Sequence, residues 1–252
     1  LLISRFVDIA PLWDNDAIYA IAGGPAEDVD GDGMLEIYFG VAASFPVHPR
    51  NVYYYNISSD YIHKSPPSCS GPSYDLNAYD IDNDGFIELW GPVSASGNVK
   101  EDTSYPDQKA WLMVYSHELD FEFEPLPFAQ FPARITPLLF VSGTGNNLLV
   151  ALDYRGDAED CFDRLMIFSP AGAILKDKTA SGLGIKSIDN CFLYNEDIYV
   201  QSEEEGILIQ LDAGLEPVRT FYSDFFHGSL GGPLSLPDAN ENVIICRLGH
   251  SV

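Results

Sequence analysis

Basic side chains are scarce in this 252-residue sequence: 13 Lys and Arg stand against 38 Asp and Glu, a formal net charge of -25. So anionic a surface is repelled by phosphate backbones and acidic headgroups, which excludes nucleic acid and anionic lipid as partners. Cysteine is equally sparse. Cys69, Cys161, Cys191 and Cys246 contain no CxxC pair, which argues against a zinc site. One disulfide fits an exported chain, with Cys161 and Cys191 the favoured pair because they fall in adjacent repeats; lone buried thiols fit equally well. No apolar run approaches the roughly 20 residues that cross a bilayer, so direct membrane insertion of this segment is not expected. No signal-peptide pattern is read in the sequence, and Leu1 opens within what reads as a strand, as is expected of a mature or excised fragment.

Catalytic signatures are missing as well. The chain has no GxSxG, no HExxH, no glycine-rich phosphate loop and no sialidase-type Asp-box. Helical periodicity is almost absent, whereas 17 Pro, 21 Gly, 14 Tyr and 15 Phe favour one large all-β domain over residues 1–252. Acidic runs such as Glu203 to Glu205 read as solvated surface.

What is present is a repeated acidic turn. Glu27 to Gly40, EDVDGDGMLEIYFG, is answered by Tyr79 to Gly91, YDIDNDGFIELWG. Asp28, Asp30, Asp32, Gly33 and Glu36 align with Asp80, Asp82, Asp84, Gly85 and Glu88. Carboxylates at positions 1, 3 and 5 of a tight loop can converge on one hard cation. A backbone carbonyl at position 7, here Met34 or Phe86, and a carboxylate at position 9 can close the shell. Glycine at position 6 supplies the positive-φ turn. An all-oxygen donor set favours calcium over zinc or copper, so two Ca2+ sites are expected. An EF-hand would need Glu at position 12, where Phe39 and Gly91 stand. The residues that follow each loop read as strands entered from a hairpin turn, not as helices.

At these residues the sequence resembles the FG-GAP or VCBS repeats of integrin alpha-chains and related bacterial β-propellers. The resemblance implies calcium between the first two strands of a blade. Its ligands would be Asp28, Asp30, Asp32, the Met34 carbonyl and Glu36 in one loop, and Asp80, Asp82, Asp84, the Phe86 carbonyl and Glu88 in the other. Only these two repeats carry the motif. Membership of the remaining chain rests on recurring second hairpins, in which Tyr54, Met113, Met166 and Ile209 hold corresponding positions at intervals on the order of 50 residues.

Four blades can be traced, at about 17–64, 74–127, 135–178 and 185–222. The inner turns of the third and fourth, SGTGNN and YNED, lack the acidic ladder and are not expected to hold calcium. Half a blade remains at each end, LLISRFVDIAP and PLSLPDANENVIICRL, and pairing them would close the ring and remove exposed sheet edges. The expected architecture is therefore a β-propeller of five four-stranded antiparallel blades with a composite last blade. The competing count is a slice of a ring with six to eight blades.

In such a ring the calcium loops occupy one face and the long insertions the other. Recognition residues accumulate on loops held over a rigid scaffold, which makes His48, Arg50, Tyr105, Arg155, Asp157, Asp160, Phe226 and His227 the ligand-binding candidates. The leading function is a calcium-stabilised extracytoplasmic binding or scaffold module, secreted, periplasmic or on a cell surface, with a protein or carbohydrate ligand. Adhesion, glycan reading and the sensor domain of a bacterial membrane receptor all fit it. A propeller glycoside hydrolase or lyase is the enzymatic alternative. Its carboxylates would come from Asp75 and Asp189, then Asp14 or Asp16; no residue carries a catalytic motif.

Overall fold

A computed structural model of the chain describes residues 19–29, 31–43, 50–66, 76–91, 93–94, 104–106, 108–130, 133–142, 145–154, 162–194 and 196–222. Among these residues no α-helix forms, and every strand pairing between consecutive repeat strands is antiparallel. The chain divides into two compact units, Leu1–Pro132 and Ala133–Val252.

The first unit opens with β1 (Tyr19–Glu27), β2 (Glu36–Ala43), β3 (Arg50–Asn56) and β4 (Tyr61–Lys64), which pair in chain order as an up-and-down meander. β3 reads RNVYYYN, rich in the aromatic and β-branched side chains that fill a pleated surface, and all of it is buried. Successive side chains of a strand point to opposite faces. Val52 and Tyr54 accordingly join Tyr38 in one apolar cluster, while Tyr53 and Tyr55 join Phe39 and Val41 in another. A sheet buried on both faces is a layer packed between neighbours, not a lid with a wet side. The register of β1 on β2 slips between Gly23 and Ala26. At Gly24 a Cβ would lie 2.8 Å from the Tyr38 carbonyl oxygen and 2.9 Å from Leu76, so the close approach there requires glycine.

The next set comprises β5 (Asn77–Tyr79), β6 (Glu88–Trp90), β7 (Val93–Ser94), β8 (Lys109–Leu112), β9 (Val114–Tyr115) and β10 (Leu126–Gln130). It is split. β5, β6 and β9 form one ladder, and β8 pairs separately with β10. The stretch AWLMVY breaks at Met113: its first half pairs with β10 and its second half with β6. This set packs on the first sheet through Leu89, Trp111, Met113, Tyr115 and Leu119 against Tyr38 and Tyr54.

The second unit holds two further meanders. One runs β11 (Ala133–Ser142), β12 (Gly145–Tyr154), β13 (Arg164–Phe168) and β14 (Ile174–Thr179), and the other β15 (Asn190–Tyr194), β16 (Asp197–Ser202), β17 (Ile207–Leu211) and β18 (Pro217–Tyr222). A short 3-10 turn at Ser181–Leu183 joins them and ends at a left-handed Gly184. Leu149, Leu165 and Ile167 of the first meander interlock with Ile198, Val200 and Ile209 of the second. The other face of the last sheet is also buried, around Phe192, Tyr199 and Leu208, with the two rings stacked 5.4 Å apart.

Cys191 faces the shared core of these meanders as a free thiol, so the expected pairing of this residue in a disulfide is not formed. Burial pushes that thiol up to about 12. Antiparallel four-stranded runs fall within the repeats traced at about 17–64, 135–178 and 185–222, whereas the strands of the one traced at about 74–127 are divided between separate ladders. The composite last blade, expected from the two chain ends, lies outside the described residues, and no helix is long and apolar enough to cross a membrane among those described.

Candidate metal centres

Both acidic loops are the tips of hairpins, closed by the pairs Glu27↔Glu36 and Tyr79↔Glu88. Three of their internal hydrogen bonds correspond, and in the second loop the Asp84 N–H also donates to Asp80 Oδ1 at 3.0 Å and to Asp82 Oδ1 at 3.1 Å. The Gly33 N–H donates to Asp28 Oδ2 at 2.9 Å, and the Gly85 N–H to Asp80 Oδ2 at 3.0 Å. The Met34 N–H donates to Asp32 Oδ1 at 2.7 Å, and the Phe86 N–H to Asp84 Oδ1 at 2.8 Å. Across each loop the Val29 N–H donates to Glu36 Oε2 at 2.8 Å, and the Ile81 N–H to Glu88 Oε2 at 2.7 Å. The chain can follow this path because two positions in each loop are left-handed: Gly31 (φ 73°) with Gly33 (φ 85°), and Asn83 (φ 65°) with Gly85 (φ 97°). Glycine and asparagine adopt that region at least cost.

In the first loop these bonds use one oxygen of Asp28 and one of Glu36, whereas in the second both oxygens of Asp80 accept. In the first loop Asp28 Oδ1 and Glu36 Oε1 are buried and have no hydrogen-bond partner, although Glu36 is 0% exposed. A buried anionic oxygen without a donor is costly, and a cation is the partner that removes the cost. In the second loop carboxylate oxygens of Asp80, Asp82 and Glu88 all lie within 4.8 Å of one another. Two Ca–O bonds of about 2.4 Å can bridge such a span. Burial pushes the Glu88 carboxyl up to about 7; the charges of Asp82, Glu122 and Asp84 add to the shift, and the Ile81 N–H opposes it. Asp28, Asp32, Met34, Glu36, Asp80, Asp82, Asp84, Phe86 and Glu88 thus all sit in or beside their loop tips, while Asp30 lies outside the described residues.

The surroundings of the tips include residues that the loop spacing does not point to. In the first repeat the turn between β3 and β4 reaches the loop: Ser58 hydrogen-bonds to Asp32 and holds its carboxyl below the usual range, helped by the Met34 N–H. In the second repeat the corresponding outer turn brings His117, whose ring stacks on Phe86 at 4.1 Å and 13°. Glu122 follows close by. Burial, then the charges of Asp82 and Asp84, raise its carboxyl, against the influence of His117. The Tyr38 hydroxyl, from β2 of the first repeat, donates to the His117 carbonyl at 2.6 Å.

Of the ligand candidates, Arg50 and Tyr105 fall within the described residues. Arg50 is buried at the start of β3. Tyr105 is half-buried, edge-on to both Trp111 and Phe121, with burial and the neighbouring Glu124 raising its hydroxyl. His48, Arg155, Asp157, Asp160, Phe226 and His227 lie outside the described residues, as do Asp14, Asp16 and Asp75. Asp189 serves as a brace: its Oδ2 accepts the Ser187 hydroxyl at 2.6 Å and the Glu203 N–H at 2.8 Å.

No family model matches the sequence, and no curated protein matches it.

Proposed function

We propose that this chain is a calcium-stabilised β-propeller module of the FG-GAP or VCBS kind, acting outside the cytoplasm as a binding or scaffold unit. The observation that carries the reading is the division of labour within the carboxylates. One oxygen of Asp28 and of Glu36 braces the hairpin, and the other is buried with no hydrogen-bond partner. Asp28, Asp30, Asp32, Glu36 and the Met34 carbonyl would hold one ion, and Asp80, Asp82, Asp84, Glu88 and the Phe86 carbonyl a second. The donors are all hard oxygens, as calcium requires. Bound there, calcium would neutralise crowded carboxylates at a hairpin tip and add structural rigidity. Millimolar extracellular calcium suffices for loops of modest affinity.

The propeller reading draws support from burial. In the meanders β1–β4 and β15–β18 the central strands bury side chains on both faces, as sheets packed in layers do: Tyr53 is 0% exposed and Leu208 2%. Ligand recognition is assigned to the face opposite the calcium loops.

Calorimetric titration with calcium and thermal melts in calcium or EDTA test the metal. Two sites and a melting temperature lowered by EDTA are expected, and Asp30→Ala combined with Asp82→Ala should abolish that difference. A melt indifferent to both calcium and EDTA overturns the reading.

A further inference from the structure

We propose that His117 is a positioning residue for the second cation loop, and that through it Tyr38 ties occupancy of one loop to occupancy of the other. The proposal rests on the reading of the two loops as cation sites and concerns how those sites communicate.

The physical path is short and continuous. Glu36, whose Oε1 is buried without a partner, begins β2. Tyr38 stands two residues further along the same strand, 0% exposed, with its ring edge-on to Tyr54 at 5.5 Å. Its hydroxyl donates to the backbone carbonyl of His117 at 2.6 Å. The outer turn bearing His117 is itself fixed, since the Leu119 N–H donates to the Ser116 carbonyl and the Ser116 N–H to the Asp120 carbonyl. The imidazole then lies flat on Phe86. Phe86 occupies position 7, the residue whose carbonyl completes the second shell, and its N–H is already tied to Asp84 Oδ1. With the ring held by His117 and the N–H by Asp84, the backbone that carries the Phe86 carbonyl is restricted from both sides.

Position 7 of the first loop is Met34, which has no aromatic ring to stack on, and the outer turn of that repeat holds Asp32 instead, through Ser58. The connection therefore runs from β2 of the first repeat into the second loop. Thermodynamic linkage makes the effect reciprocal: an ion that orders Glu36 and β2 lowers the ordering cost of the second loop, and the reverse.

The test uses the full chain, with calcium titrations followed by calorimetry and terbium luminescence. Asp82→Ala disables the second loop, and the expected consequence is a loss of affinity at the first of about five-fold or more. In a Tyr38→Phe background the same substitution should leave the first loop unchanged, because the bond to His117 is gone. His117→Ala should weaken the second site and remove the coupling, while His117→Phe keeps a stacking ring and the backbone carbonyl and should restore both. Rescue by Phe but not by Ala separates positioning from general support of the fold, and circular dichroism of each variant reports folding. A first site whose calcium affinity is indifferent to Asp82→Ala, with the second site lost, overturns the coupling and leaves the metal reading standing. Absence of calcium binding in the unmodified chain overturns that reading itself.

Discussion

Glu36 concentrates the argument at the scale of one residue, because its carboxylate is fully buried and only Oε2 has a hydrogen-bond partner. Replacing it by Gln keeps an acceptor for the Val29 N–H and removes the buried charge. In EDTA the Glu36→Gln variant should melt above the unmodified chain, and in millimolar calcium below it, each difference corresponding to about 1–3 kcal/mol. Melting curves under the two conditions check the crossing; a variant less stable in both would assign Glu36 to packing alone. Glu88 gives the pH counterpart. Burial pushes its carboxyl up to about 7, above the ordinary 4.5. Between those values the folded state holds a proton that the unfolded state has released, so this group's contribution to stability falls as pH rises from about 4.5 to 7. Melts in EDTA across that range should show the decline, Glu88→Gln should flatten it, and calcium should offset it by favouring the carboxylate. Cys191 illustrates burial without such a role: its thiol is pushed up to about 12 in an apolar core. It should resist an alkylating reagent until the second unit unfolds, which mass spectrometry along a urea series would read.

At the scale of elements, the hairpin tips were the most legible part of the sequence, because cation chemistry fixes both residue type and spacing. Glu36 and Glu88 could be placed at position 9 from the residues alone, and the structure puts each beside its loop with the same N–H donor seven residues back. The second left-handed position, Gly31 in one loop and Asn83 in the other, carried a weaker signal, since either residue also suits an ordinary turn. The outer turns were not legible at all. Ser58 and His117 reach the loops across the sheet, and nothing in local spacing marks a contact made between distant stretches of chain. The break at Met113 was equally hidden, because AWLMVY is uniformly apolar and gives no periodicity from which to see a strand change partners. The slip in β1 is different: a glycine inside a strand pattern signals close backbone approach. Gly24→Ala would drive a methyl group to 2.8 Å from the Tyr38 carbonyl oxygen, and β1 or β2 would have to shift. A loss of about 1–3 kcal/mol in denaturant unfolding is expected. Gly23, with nothing within 4 Å of its Cβ position, is the matched control and should tolerate alanine far better.

For the whole molecule, both acidic loops belong to the first compact unit, and the second unit is braced without them. Its turns are tied by carboxylates that have N–H, O–H or Lys partners: the Ile188 N–H donates to the buried Asp163 Oδ2 at 2.6 Å, Lys178 pairs with Glu216, and Ser202 donates to Glu205. Removing calcium should therefore act unevenly. In hydrogen exchange followed by mass spectrometry, EDTA is expected to accelerate exchange in β1, β2, β5 and β6, where uncompensated carboxylates repel one another at the tips. The amides of β12, β13, β16 and β17, packed through an apolar core that holds no acidic loop, should keep their protection. Uniform deprotection of both units would mean that they unfold as a single cooperative block, and that calcium stabilises the whole chain instead of the hairpins that bind it. The same experiment at high salt separates the two sources of instability. Screening weakens the repulsion among exposed carboxylates such as Asp82 and Asp84 but leaves the buried oxygens of Asp28 and Glu36 without partners, so salt should restore the second loop more fully than the first.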